Sequence, residues 1–485
     1  MRAEATDNTG LAKVEAFVDG VLLTTATTSP VEVSWDTKTV ADGAHQIKIT
    51  AEDTEGNKEE KTIAVQVKNV LFAIEIGNFL NENTEGWFFV SDLAGKIIDV
   101  KQFQNNDMVI FNTPEGFKAG DTYNLTRLEY EAFFGNPFRA LFLTFAQAKP
   151  SNITLILDKP ALPPSVGSHT LLVNFDSFSF PFNFPAVASA SAITDFNGFQ
   201  TMPGQRPIKA ALFASPSKLI YTLTNFEDDI APQKFIVENA LAGGTDVVHL
   251  SEFTPFDFHI VPVNGSISSN AEVSIIQRPG DYFNSERLSD VTQNIDPNQI
   301  KVFTADIQPT EFLTDLSYST GIQAFFYTKA DPQVATSFKK PNADITAFSV
   351  VGKNLSMEVS GEADHVRFIG NNFDEVTFTD YTWVVFGPAG GKTQIQLPEL
   401  PIEILNKYPD LENREFVFDV GSIRDYVGIN GYDAWVDVRS SGKSEFNTAK
   451  EMLLMDEFFA PSGGKVGKYP VLEFLLMDKP DLKLK

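Results

Sequence analysis

Short apolar runs that alternate with polar residues, each closed by turn-forming residues, dominate this sequence. Trp87-Phe88-Phe89-Val90 and Ala324-Phe325-Phe326-Tyr327 are examples, and Phe178–Phe184 places phenylalanine at every second position. Apolar runs of about four to eight residues bounded by turns predict strands, because helices need about ten residues or more. Phenylalanine, at 43 of 485 residues, has no polar atom and packs into cores. We therefore expect an all-β chain of tandem antiparallel β-sandwich domains with little helix.

Net charge, the lack of cysteine and the lack of long apolar stretches exclude several kinds of partner and site. The chain carries 38 Lys and Arg against 64 Asp and Glu, a formal net charge of −26. Nucleic acid and anionic membranes would repel such a chain, so neither is an expected partner. There is no cysteine, which excludes disulfides and thiolate metal sites. No stretch approaches the roughly 20 apolar residues of a membrane-spanning helix, so we expect no transmembrane segment.

Turn signals divide the first 68 residues at regular intervals. They separate four strand-like segments, near Val14–Val18, Val31–Trp35, His45–Ala51 and Lys61–Val67. The turns are Asp7-Asn8-Thr9-Gly10, Asp19-Gly20, Asp42-Gly43 and Glu55-Gly56-Asn57. Short strands at this spacing predict an antiparallel sandwich.

The order of these landmarks, together with Pro30, Trp35-Asp36-Thr37 and Asp53-x-x-Gly56-Asn57, resembles the bacterial immunoglobulin-like domains of surface and secreted proteins. The resemblance covers residues 1–68 and implies an extracellular or outer-cell-surface location. It also implies that Trp35 is a core residue and His45 a strand residue beside a turn, neither of them catalytic. Such domains carry one more strand before the position of Met1. We therefore expect the natural product to extend upstream, into a region that would have room for a signal peptide, a lipid anchor or further domains.

Composition suggests four segments along the chain: 1–69, the immunoglobulin-like domain; 70–160, a sandwich-like domain; 161–345, a β-rich region of one or two domains; and 346–485, a sandwich-like domain with a short helix. Asn69 closes the first segment, and the proline-rich Lys159–Pro164 is a connector or a strand-edge bend. The short helix is expected within Leu400–Leu411, beginning at Pro401, because proline suits a first helical turn. Asn447–Phe459 is readable as helix or strand.

Motifs of catalysis and metal binding are weak. Phe386 stands where a phosphate-binding loop ending at Gly391-Lys392-Thr393 needs glycine, so that segment is expected to be a hairpin turn. Asn81–Asp92 matches a calcium loop only in part, since Asp92 replaces the bidentate glutamate. We predict no catalytic residue, no cofactor and no defined metal site. If a structural calcium ion binds among the many carboxylates, the sequence does not indicate where.

Two aromatic residues are the candidate ligand contacts. Trp435 alternates with acidic residues in Gly431-Tyr432-Asp433-Ala434-Trp435-Val436-Asp437, a pattern that predicts an exposed ring with Tyr432 nearby. Flat rings with a polar edge stack on sugar faces.

Three functions remain open. The first is a non-catalytic bacterial surface or secreted protein, a scaffold, stalk or adhesion module whose partner is a surface protein or a glycan. The second is a carbohydrate-binding accessory of a polysaccharide-uptake system. The third is a glycan-active hydrolase, for which no carboxylate pair can be singled out.

Overall fold

The computed structural model describes residues 1–40, 42–114, 116–117, 120–133, 136–150, 154–157, 164–176, 184–189, 192–195, 204–224, 232–264, 268–276, 285–293, 298–304, 311–320, 322–440 and 445–459. The expected strand at Phe178–Phe184 and the connector Lys159–Pro164 lie almost wholly outside these ranges.

The described residues contain 34 strands. The first seventeen are β1 (Arg2–Ala3), β2 (Leu11–Val18), β3 (Val21–Ala26), β4 (Val31–Glu32), β5 (Gly43–Asp53), β6 (Lys58–Val67), β7 (Val70–Ile76), β8 (Thr84–Ser91), β9 (Ile97–Phe103), β10 (Met108–Asn112), β11 (Tyr123–Phe133), β12 (Asn136–Ala148), β13 (Thr154–Leu157), β14 (Gly167–Asn174), β15 (Phe184–Ala188), β16 (Ala192–Asp195) and β17 (Gln205–Leu212). The others are β18 (Ser217–Thr224), β19 (Gln233–Ala240), β20 (Thr245–His249), β21 (Thr254–Pro255), β22 (Asp257–Pro262), β23 (Ser268–Ile276), β24 (Ser285–Gln293), β25 (Gln299–Thr304), β26 (Glu311–Ser319), β27 (Gln323–Asp331), β28 (Ala343–Val351), β29 (Asn354–Gly361), β30 (His365–Asp374), β31 (Thr379–Pro388), β32 (Gly391–Gln396), β33 (Val417–Val427) and β34 (Glu451–Phe458).

Helix is limited to α1 (Ile402–Lys407), α2 (Gly431–Ser440) and the 3-10 turns Thr37–Thr39, Leu250–Glu252, Pro409–Leu411 and Glu445–Asn447 within the described ranges. The all-β prediction is therefore confirmed. The expected helix at Leu400–Leu411 is α1, which Pro401 precedes as the cap residue. The ambiguous segment Asn447–Phe459 is mainly the strand β34. No helix in the described residues is long and apolar enough to cross a membrane.

The first 67 residues form a unit of their own. It contains a four-stranded sheet in the order β3-β2-β5-β6 and the two-stranded pair β1-β4. Val14, Ala16 and Val18 of β2 are buried at every second position, as a half-buried strand requires. Asp19, in the turn after β2, accepts hydrogen bonds from the Gln46 amide at 2.9 Å and pairs with the His45 ring at 2.6 Å. His45 is thus a strand residue beside a turn.

A two-residue connection, Lys68 and Asn69, joins this unit to the rest of the chain. The Asn69 amide N–H donates to Asp42 Oδ1 at 2.7 Å, and its side-chain amide donates to the Thr37 carbonyl at 2.9 Å. On the other side, the Thr113 amide donates to the Asn69 carbonyl at 3.1 Å. The connection is therefore held by hydrogen bonds from both directions.

Beyond residue 70, one twelve-stranded sheet runs through the molecule in the order β24-β23-β26-β27-β34-β33-β30-β31-β12-β11-β8-β9. Its neighbouring strands are antiparallel except between the eighth and ninth strands of this order, where β31 and β12 pair in parallel from Arg139 opposite Asp380 to Phe145 opposite Phe386. Such a parallel pair joins segments that lie far apart along the chain.

Smaller sheets pack on the faces of this large sheet, and each forms a sandwich with the part that it covers. The sheet β28-β29-β32 covers β30, β31, β33 and β34 on one face, and β10-β7-β13 covers β8, β9 and β11 on the other. The pair β22-β25 packs against β23 and β26. A separate sandwich is formed by β16-β17-β14-β20 and β15-β18-β19-β21, with Leu171, Ile208 and Tyr221 in its core.

The sheets divide the chain differently from the segments expected after residue 69. Segments 70–160 and 346–485 each contribute a sandwich, but the two sandwiches share one layer through the β12–β31 pairing. The divisions at 160 and 345 therefore do not interrupt the large sheet, to which 161–345 also contributes strands. Local composition could not reveal this, because strand pairing across hundreds of residues is set by the whole fold.

The structure corrects the expectation that Trp35 is a core residue. Trp35 lies just after β4 and is half-buried, with the edge of its ring against His45 at a centroid distance of 5.7 Å. Part of the ring therefore faces solvent.

We expect Trp35→Ala to lower the free energy of unfolding of this unit by about 1–3 kcal/mol, because a half-buried ring gives up less apolar contact than a fully buried one. Chemical denaturation of the full chain measures this, with Val14→Ala, a fully buried position, as the comparison. A loss for Trp35→Ala larger than that for Val14→Ala would show that the ring is a core residue after all.

Candidate functional site

The helix α2 carries the two predicted ligand contacts, Tyr432 and Trp435. Their spacing of three residues places them on one helical face, whereas Asp433 and Asp437 are exposed on the other. The apparent alternation with acidic residues therefore arises from a helix that has its aromatic residues on one face and its acidic residues on the other. Asp364 fixes the start of the helix, since its carboxylate accepts the Gly431 and Tyr426 amide N–H groups at 2.6 and 2.7 Å.

The structure corrects the expectation that Trp435 is exposed. Its side chain is 2% exposed and stacks on His365, with ring centroids 3.9 Å apart. Phe386 and Phe145 pack against it at centroid distances of 5.2 and 5.9 Å. These neighbours cover the ring, so Trp435 joins α2 to the large sheet and cannot present a face to a sugar in this arrangement.

His365 is an additional buried titratable group beneath α2. Burial, followed by the nearby Arg424 and Arg367 guanidinium groups, lowers the pKa of His365 well below its usual value. The imidazole is therefore neutral at physiological pH and packs as a flat aromatic ring. No local sequence signal indicates this contact, because His365 and Trp435 lie 70 residues apart and meet only in the folded chain.

Tyr432 lies at the edge of a shallow, open cleft of about 340 Å³. The cleft lies where α2 meets the ends of β12 and β31, and its lining residues are Thr122, Gln147, Lys149, Pro388, Ala389, Asn430, Gly431, Tyr432 and Asp433. The Lys149 ammonium and the Asp433 carboxylate pair at its rim. The Tyr432 hydroxyl donates to the Phe386 carbonyl at 3.3 Å, so mainly its ring edge borders the cleft. The amide, ammonium and carboxylate groups can hydrogen-bond a polyhydroxyl ligand.

A second polar cluster, not found from the sequence, lies on the opposite face of the large sheet and is centred on Asp410. The hydroxyls of Tyr130 and Tyr381 donate to its two carboxylate oxygens at 2.9 and 2.8 Å. Burial, and then this hydrogen bond, raises the pKa of Tyr381 to about 12. Both tyrosines therefore remain neutral donors, and they fasten the 3-10 turn after α1 across β11 and β31.

Arg414 extends this cluster to the turn between β30 and β31. Its guanidinium donates to Asp374 Oδ2 at 2.7 Å and to Asn372 Oδ1 at 3.2 Å. The other oxygen of Asp374 accepts the Val376 and Thr377 amide N–H groups at 3.0 and 3.2 Å. The turn is thereby fixed to the body of the sheet.

The residues of the weak calcium-loop match form a strand and a turn in this fold. Thr84–Ser91 is the strand β8, and Asp92 Oδ1 accepts the backbone N–H groups of Ala94 and Lys96 at 3.0 and 2.9 Å in the following turn. Across the described ranges, no group of three or more His, Asp or Glu side chains could hold a metal ion.

Comparison with known proteins bears on the N-terminal unit. Residues 1–49 match the family model of the bacterial Ig domain, which confirms the resemblance drawn from the sequence over that range. No curated protein matches the chain. Among solved structures, the chain is similar to the crystal structure of a tetra-tandem repeat in the extending region of a large adhesion protein, at 9% identity over 88% of this chain and 91% of that one. The TM-score of 0.12 is too low for this likeness to carry an argument.

We expect the Arg414–Asp374 pair to make stability fall with acid. The Arg414 hydrogen bond, and then the Thr377 and Val376 amides, lower the pKa of Asp374 from 3.8 to about 2. The folded state therefore binds this proton less readily than the unfolded state, and the stability that the pair contributes is lost as the pH falls from about 4 to about 2. Asp374→Asn should flatten this part of the pH dependence, measured by thermal unfolding monitored through tryptophan fluorescence.

Glu375→Gln is the matched control, because it removes an exposed carboxylate from the same turn without touching the bonds to Arg414. An acid dependence that is the same in Asp374→Asn as in the parent chain would contradict this assignment.

Proposed function

We propose that this protein is a non-catalytic scaffold or adhesion module, extracellular or held at the outer surface of a bacterial cell. The observation that carries the proposal is the N-terminal unit. It matches the bacterial Ig domain, a class that the sequence resemblance associates with surface and secreted proteins, and in the described residues its strands pair only with one another. A self-contained unit of this kind acts as a spacer in front of a larger body.

The large body suits a scaffold. Twelve strands at about 4.8 Å spacing give a sheet roughly 50 Å wide. Its two groups of antiparallel strands are joined by the parallel β12–β31 pairing, and one face is held by the Asp410 cluster. The strand turns at both ends of such a sheet are held at fixed positions, where they can meet a partner.

Surface exposure can be tested on intact source bacteria with antibodies raised against the full chain. We expect the antibodies to label unpermeabilised cells or the culture medium, and external protease to remove the cell-bound signal while a cytoplasmic control protein stays intact. A chain that is protected until the cells are lysed would contradict the proposal, and so would turnover of a polysaccharide or peptide library by the pure protein.

The cleft beside α2 favours a second candidate, a carbohydrate-binding accessory of polysaccharide uptake. Its rim presents Gln147, Lys149, Asn430 and Asp433. Amide and carboxylate groups of this kind are the polar partners that fix a sugar ring. This candidate requires the chain to bind a glycan there, although the buried Trp435 supplies no stacking face.

A glycan array tests the second candidate. If it is correct, wild-type chain binds at least one glycan, and Asp433→Asn or Lys149→Ala weakens the affinity by about tenfold or more, the loss of roughly one good polar contact. Asp437→Asn, one turn further along the exposed face of α2, is the control and should bind as wild type. Equal binding by all four proteins would place the glycan elsewhere.

A further inference from the structure

Five large apolar side chains are exposed near the ends of four adjoining strands of the twelve-stranded sheet, β11, β12, β31 and β30. They are Phe133, Phe138, Phe373, Val376 and Phe378, here called the apolar tip, and they are 39% to 89% exposed. Single exposed apolar residues are ordinary on a protein surface, but a group of them marks an interaction site. These phenylalanines depart from the core-filling role expected of this residue type.

The parallel pairing of β12 with β31 places these residues side by side. Since both strands begin at the same end of the sheet, the first residues of β12 adjoin the first residues of β31. The Thr379 hydroxyl joins the two by donating to the Pro137 carbonyl at 2.9 Å. The phenylalanines meet edge to face in two pairs, Phe133 of β11 on Phe138 of β12 at 5.1 Å and Phe373 of β30 on Phe378 at 6.4 Å.

The tip is held in shape without a partner. Asp374 binds the Val376 and Thr377 amides, and Arg414 ties Asp374 to the sheet. Phe378 has a φ of 54°, in the left-handed region that glycine and asparagine adopt more readily. A bulky apolar residue at this position is unfavourable for both backbone conformation and hydration, and nothing in the packing of the core requires it.

Charge decides the kind of partner. Near the tip lie Glu131, Glu375, Asp380 and Glu415, whereas Arg139 is an exposed cation there and Arg414 is already paired with Asp374. The chain as a whole carries −26. A second copy of the chain or an anionic membrane would therefore be repelled, and an apolar surface flanked by Lys or Arg would be attracted.

We propose that the apolar tip is a docking site for a protein segment that combines exposed aliphatic or aromatic side chains with flanking lysine or arginine. This inference rests on the proposed function, because it names the partner class of a surface binding module. The phenylalanines and Val376 supply the apolar contact, and the acidic residues around them supply the attraction and select against acidic partners.

Fluorescence anisotropy with three labelled probes tests the proposal on the full chain. The probes are short peptides of alternating lysine and leucine, glutamate and leucine, and lysine and serine. We expect the lysine–leucine peptide to bind and the other two to bind at least about tenfold more weakly. The double variant Val376→Ser with Phe378→Asn keeps the net charge and should weaken lysine–leucine binding by about tenfold or more.

Two measurements separate binding from folding. Asparagine tolerates the left-handed conformation, so the double variant should not unfold at a lower temperature than wild type. Val351→Ser removes a similarly exposed apolar side chain from the end of β28 and should bind the peptide as wild type. Undiminished peptide binding by the double variant would overturn the proposal, as would equal binding of the lysine–serine peptide.

The remaining outcomes point to other occupants. Binding to vesicles of zwitterionic lipid that the double variant loses, without peptide binding, would replace the protein partner with a membrane. Self-association of wild type in sedimentation velocity, lost in the double variant, would replace it with a second copy. Either outcome overturns the proposed partner while the surface role stands, because surface exposure is measured separately on intact cells.

Discussion

The parallel ladder between β12 and β31 is the contact on which the rest of the large body depends. It joins strands that lie more than two hundred residues apart and turns two groups of antiparallel strands into one sheet. Side chains reinforce it on the buried face, where the Trp383 indole N–H donates to the Thr144 hydroxyl at 2.9 Å and Phe142 stacks on Trp383 at 4.8 Å. Antiparallel hairpins form locally and this pair does not, so the two groups of strands come together only through contacts between distant parts of the chain.

The polar groups inside the molecule serve the same long-range assembly. The Trp87 indole N–H donates to the Tyr408 hydroxyl at 3.1 Å, and Tyr408 in turn donates to Glu85, which also pairs with Lys407. Burial opposes ionisation of Glu85, but the hydrogen bonds from Lys407 and Tyr408 outweigh it and lower the pKa of this carboxyl. A buried polar group is stable only when its hydrogen-bond partners are in place, so this cluster fixes the position of α1 on the sheet.

Much of the fold could be predicted from the sequence, because its signals are local. Short apolar runs bounded by turn residues identified Trp87–Val90 and Ala324–Tyr327 as strand segments, and Asp-Gly turns outlined the N-terminal unit. The sharing of one sheet by distant segments has no local signal. The prediction that Trp435 is exposed was wrong for a related reason. Over seven residues, a helix with acidic residues on its outer face gives a pattern that resembles the alternation of a strand. The contact of the Trp435 ring with His365 is visible only in the folded chain.

The short connection at Asn69 has a mechanical consequence. A pull on the N-terminal unit passes through two residues into β7, which lies between β10 and β13 in its sheet. Force along β7 loads the hydrogen bonds to both neighbours in shear, so that they resist together instead of opening one by one. A chain built this way transmits tension into its body with little slack.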